Sequence, residues 1–159
     1  MKKILIFTAL IIAVLTISPA YAKVSSDEAR RVIDYYHNGS GGGAVFLEAA
    51  LCKEVVKEGP NKNNCGPSID SSNFPLGDVI VVWGSFLVPM GDTDTIYVEF
   101  ENMGMVWQIR ELNVKGALRY RSWASYRLRK PGKWTISLKA LDEENQQSIL
   151  LKELEVTVK

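Results

Sequence analysis

The sequence predicts an all-β, two-layer antiparallel sandwich of about seven strands, carried behind an export signal and one short helix. Three observations predict it. Apolar residues alternate at period two in run after run, turn chemistry separates the runs, and no helix-length apolar pattern comes between them. Parallel β-α-β units are therefore not expected, and a closed barrel is the alternative that the pattern leaves open.

The chain opens on a targeting signal. Lys2 and Lys3 precede an apolar run from Ile4 to Ile17, Ser18-Pro19 breaks that run, and Ala20-Tyr21-Ala22 offers small residues at a signal-peptidase site. The run is roughly 14 residues, against about 20 for a membrane-crossing helix, so an anchor is not expected. Cleavage after Ala22 leaves no cysteine to carry a lipid, and places the mature chain in the periplasm or outside the cell. What remains is about 137 residues, the size of one domain.

Ser25 to Tyr36 reads as a short helix. Ser25 and Glu28 have capping-box spacing, and Ala29, Val32, Ile33 and Tyr36 fall on one stripe. The stripe must dock, either on the sandwich or on a partner. Asn38 to Gly43 is a glycine-rich linker without the Gly-Lys-Ser/Thr of a phosphate loop. The expected organisation is thus residues 1–22 signal peptide, 23–43 helix and linker, and 44–159 sandwich.

The strand-like runs are Ala44–Leu51, Val79–Val88, Thr95–Glu101, Met105–Val114, Ala117–Leu128, Lys133–Ala140 and Ser148–Val158. Pro89-Met90-Gly91-Asp92, Asn102-Met103-Gly104, Lys115-Gly116, Lys130-Pro131-Gly132 and Asp142 to Gln147 separate them, after a long polar loop from Gly59 to Gly77. The number and spacing of the runs match an immunoglobulin-like architecture. Trp134, Ile136, Leu138 and Ala140 face inward, as do Ile96, Val98 and Phe100. Val79 to Val88 is apolar on both faces and belongs at the centre of its sheet. In the last run Leu150, Leu154, Val156 and Val158 share a parity that Lys152 breaks. Trp83 and Trp134 read as core, and Trp107 as half-exposed.

Nineteen basic residues stand against 18 acidic ones, and a near-neutral chain has no global attraction to nucleic acid. Cys52 and Cys65 are expected to pair in an oxidising compartment. The alternative, a metal site with His37 as third ligand, fits no compact zinc spacing. No metal and no cofactor is expected, since the aspartates at 70, 78, 92 and 94 lack an EF-hand arrangement.

An enzyme is not expected. His37, the single histidine, sits between helix and linker, no Gly-x-Ser-x-Gly is present, and Glu99 and Glu101 read as a solvated strand face. The candidate binding feature is the run from Arg119 to Arg129. On one regular strand Leu118, Tyr120, Ala124, Tyr126 and Leu128 face one way, and Arg119, Arg121, Trp123, Arg127 and Arg129 the other. Guanidinium groups grip carboxylate or phosphate bidentately and an indole offers a stacking face. Such a stripe suits an anionic envelope polymer or an acidic periplasmic protein. The structural alternative pairs these arginines with Glu99, Glu101 or Glu111 across strands, or turns Trp123 inward at a bulge.

Five segments carry a resemblance. They are Leu51-Cys52-Lys53-Glu54-Val55, Glu58 to Cys65, Trp83 to Pro89, Tyr120-Arg121-Ser122-Trp123 and Pro131-Gly132-Lys133-Trp134. With them the chain after Ala44 resembles small secreted periplasmic proteins of Gram-negative bacteria that hold an immunoglobulin-like domain of unknown function. The resemblance implies fold and location and brings no activity or catalytic residue. The function expected is a non-catalytic binding or adaptor module using the basic, aromatic face. The alternative is a structural or inhibitor-like protein acting through the disulfide-closed loop 52–65, rich in Lys57, Lys62 and asparagines.

Overall fold

The computed structural model describes residues 43–142 and 147–159, with Ser26, Ala29, Arg30 and Val32. Those four positions are helical. The remainder of the expected helix, the signal peptide and residues 38–42 of the linker lie outside the described residues. The chain divides into two units, 1–31 and 32–159, and every strand belongs to the second.

From Gly43 onward the described residues are all-β, with five antiparallel strands: β1 (Val45–Cys52), β2 (Val79–Asn102), β3 (Met105–Arg127), β4 (Gly132–Asp142) and β5 (Gln147–Val158). The seven runs are thus carried on five strands, because β2 and β3 are each two runs joined through a bend. The ladder between them passes from Val88 opposite Ala117 to Thr93 opposite Lys115. Four residues of β2, Pro89 to Asp92, bulge against Gly116 of β3. Pro89 has no N–H to give the ladder, and Gly91 takes a φ of 93°, so the expected turns become a sharp bend in a continuous hairpin.

The bend curls the sheet. Before it, β2 lies between β1 and the second half of β3; after it, between the first half of β3 and β4, with β5 beyond β4. The concave side carries one core, in which Ile80, Val82, Phe86 and Val88 meet Ile96, Val98 and Phe100 of the same strand. Trp134, Ile136 and Leu138 of β4 and Val156 and Val158 of β5 complete it. Tyr126 bridges the two halves, its ring 4.9 Å from that of Phe100 and 5.9 Å from that of Trp134.

Two irregularities move residues from their expected faces. An extra β3 residue opposite Phe86–Val88 reverses the alternation, and Leu118 is 62% exposed instead of facing in with Tyr120. A second shift, between Leu138 and Lys139, lies opposite Leu151 of β5. Leu151 therefore packs against the core while Leu150, beyond the shift, is exposed.

The long polar loop is not open. Cys52 and Cys65 are joined as a disulfide, with Cα atoms 5.8 Å apart. The chain on either side pairs as a ragged hairpin: Lys53 N donates to Pro67 O, Val56 N to Asn64 O and Gly66 N to Glu54 O. A Cβ on Gly66 would stand 2.7 Å from that last oxygen, so the close approach requires glycine. The hairpin lies on the convex side of β2, where Cys52, Val55, Val81 and Trp83 form a second, smaller core. Trp83 is thus buried as expected, but on the opposite face from Trp134.

Candidate functional site

The five residues of the expected stripe are differently placed, and three of them line two clefts that share Ser125. Trp123 stands opposite Trp83 across the β2–β3 ladder, on the convex face beside the disulfide hairpin, and is 41% exposed. Its indole forms one wall of a cleft of about 330 Å³, whose other lining includes Lys53, Glu54, Val55, Lys57, Lys62 and Asn63. The aromatic part of the stripe and the closed loop, expected as alternative surfaces, therefore share a groove. Trp83 donates its indole N–H to the carbonyl oxygen of Asn63, one of the lining residues, at 2.7 Å.

Arg127 and Arg129 lie beyond Ser125 from Trp123. They line a second cleft, of about 500 Å³, with Val79, Gln108, Arg110, Ser125 and Tyr126. Gln108 and Arg110 come from the first half of β3 and the others largely from its second half, so the curl of one strand brings three guanidinium groups to one opening. No carboxylate lines it. Arg110, Arg127 and Arg129 form no ion pair among the described residues. Arg127 is oriented by a 2.7 Å hydrogen bond from Nη1 to the carbonyl oxygen of Gly77.

The two remaining arginines are differently placed. Arg121 is half-buried, opposite Ser85 in the ladder; its Nε and the Ser85 hydroxyl are both buried without a hydrogen-bond partner. Arg119 is exposed and engaged in a contact of its own. Of the carboxylates weighed as partners for the stripe, Glu99 pairs instead with Lys139 at 2.5 Å. Lys133 and Glu155 form an exposed link between β4 and β5.

Nothing in a single-strand reading could find Arg110 and Gln108. They lie about 17 residues from Arg127 along the same strand, and only the bend makes them neighbours. The signal available was indirect: Arg110 shares a parity with Leu112 and Val114, and an arginine on an otherwise inward-facing set marks the open margin of a core.

Two acidic positions are structural. The Asp94 carboxylate accepts the backbone N–H groups of Ala44 and Thr95, both at 2.6 Å, and so fixes the start of β1. Asp70 accepts from the N–H and hydroxyl of Ser72, which hold its carboxyl below the ordinary value of 3.8. Among the described residues no cluster of three histidine, cysteine or carboxylate side chains is placed to hold a metal, and no helix is long and apolar enough to cross a membrane.

No protein family matches the sequence, and no curated protein matches it. Solved structures with a similar course of chain exist. An immunoglobulin-like protein from Pseudomonas aeruginosa is 14% identical, with 76% of this chain covering 100% of that one at a TM-score of 0.44. β-Glucosidases from Erythrobacter marinus and Listeria innocua are 8% and 9% identical, with TM-scores of 0.46 and 0.44. In both, 74% of this chain spans 16% of the enzyme.

Proposed function

We propose that this chain is an exported, immunoglobulin-like, non-catalytic binding module of the bacterial periplasm, and that it holds an anionic ligand in the cleft between the two halves of β3. One observation carries the reading: Arg110, Arg127 and Arg129 converge on a cleft that no carboxylate lines. Guanidinium groups left without a carboxylate are poised to bind carboxylate or phosphate oxygens in bidentate fashion. Gln108 and Ser125 add neutral hydrogen-bonding groups at the same opening. The disulfide supports an oxidising compartment, in agreement with the leader-like first 22 residues and the resemblance to small Gram-negative periplasmic proteins.

The test is retention on immobilised polyphosphate and polyglutamate at low salt. Replacing Arg110 and Arg129 together by glutamine, with Arg127 left in its bond to Gly77, is expected to weaken retention at least tenfold at unchanged melting temperature. Retention equal to that of the parent chain removes the cleft from the reading.

The Trp123 groove favours a second reading, an adaptor or inhibitor surface built on the closed loop. Its lysines at 53, 57 and 62 beside an indole suit an acidic peptide. Capture of a periplasmic protein that survives the arginine double variant and fails in Trp123→Ala would favour it.

A further inference from the structure

The hairpin between β2 and β3 ends in an exposed apolar tip. Asn102 pairs with Met105, leaving Met103 and Gly104 as a two-residue turn with φ of 52° and 76°. Positive φ at both central positions is the primed hairpin geometry, which asparagine or glycine adopts far more readily than a long aliphatic side chain. Methionine occupies the strained position nonetheless, and it is 90% exposed. Strain together with exposure of an apolar side chain has no folding rationale, and such an outlier points to function.

The residues behind the tip continue the pattern. Met105, opposite Asn102, lies on the side of β3 that carries Gln108 and Arg110, Ile109, opposite Glu99, lies on the other, and Trp107 sits at the register shift between them; they are 60%, 49% and 43% exposed. Cations collar them: the Lys130 ammonium lies 5.3 Å from the centre of the Trp107 ring, and Arg110 and Arg129 stand at the adjacent cleft. From Met105 to Arg110, about 17 Å along the strand at about 3.3 Å per residue, the chain passes from bare methionine through indole to guanidinium. That order is the order of a bilayer surface, acyl chains first, then the headgroup level that tryptophan prefers, then phosphate. A convex tip also suits a deformable phase, whereas a protein partner would have to supply a matching pocket.

We propose that the Met103–Met105 tip inserts into the surface of an anionic phospholipid bilayer, with Trp107 and Lys130 at headgroup depth and the arginine cleft receiving lipid phosphate. Only the turn enters, because β3 is an edge strand here and its unpaired backbone groups must stay in contact with water or headgroups. The lipid assignment rests on the anion-binding reading of the cleft, but the insertion itself is tested apart from it.

The experiment is co-sedimentation of the purified mature chain, residues 23–159, with vesicles of phosphatidylglycerol and phosphatidylethanolamine, against vesicles of phosphatidylcholine alone. The parent chain is expected to partition onto the anionic vesicles at least tenfold more strongly. Met103→Asn combined with Met105→Thr is expected to lose that partition at least tenfold, with an equal or higher melting temperature, since asparagine relieves the turn. The same variant should be retained on immobilised polyphosphate like the parent, because that probe has no acyl phase. Failure of the parent to sediment while it still binds polyphosphate overturns the membrane inference and leaves the anion cleft standing. Unchanged sedimentation of the double variant overturns insertion by the tip, as does tip-dependent capture of a soluble protein without vesicle binding.

Discussion

Trp83 and Asn63 are tied by a 2.7 Å hydrogen bond from the indole N–H to the backbone carbonyl, across the layer between the convex face of β2 and the disulfide hairpin. Asn63 itself has a φ of 67°, the left-handed region that asparagine tolerates. Trp83→Phe keeps most of the buried ring and removes the donor. It is expected to lower stability by about 1–3 kcal/mol in a urea titration, since the carbonyl loses its partner. An unchanged midpoint would show that the hairpin is not held through this bond.

The disulfide acts on the same layer. Closing a loop of 13 positions removes entropy from the unfolded chain, by about 3 kcal/mol in the chain-entropy model. Cys52→Ser with Cys65→Ser should destabilise the domain by roughly that amount. It should also shift Trp83 emission to the red, as the hairpin lifts from the indole. The concave core should persist, because it does not include either cysteine.

Gly84 makes room on the concave face. A Cβ there would lie 2.8 Å from the Phe86 ring and 3.4 Å from a Leu138 methyl. The Phe86 ring is fully buried and cannot swing aside into solvent. Gly84→Val is expected to cost about 1–3 kcal/mol through overpacking, read as a lowered denaturation midpoint.

Acid should weaken one turn in particular. Ser72, through its hydroxyl and then its N–H, holds the Asp70 carboxyl below its ordinary value of 3.8. A carboxyl with a lowered folded value stabilises the native state above 3.8, and that contribution disappears as pH falls through the folded value. Between about pH 5 and pH 2 the parent chain should therefore lose more stability than Asp70→Asn, which cannot titrate. Parallel losses would mean that the turn does not report on folding.

The part of the fold legible in the sequence has the reach of period two. Alternation placed Trp134, Ile136 and Leu138, and it held for Ile96, Val98 and Phe100, because each set lies within one unbroken half-strand. It failed at Leu118 and Leu150, where a single extra residue in one strand reverses every side chain beyond it. It also could not tell a turn from a bend, since Pro89 to Asp92 and Lys115-Gly116 have the composition of either. The pairing of Cys52 with Cys65 was readable from compartment and count. The arginine-lined cleft was not, because Arg110 and Arg127 meet only through the curl that those two segments impose.

The same bend makes the two sides of the sheet share their central strand. Residues 79–88 of β2 are clamped between β1 and β3, and residues 93–102 between β3 and β4, with no break in the chain between them. Neither side can peel away without dragging a strand out of the other. Native-state amide exchange should accordingly assign Val82 and Val98 the same opening free energy, the signature of a domain that lets go all at once.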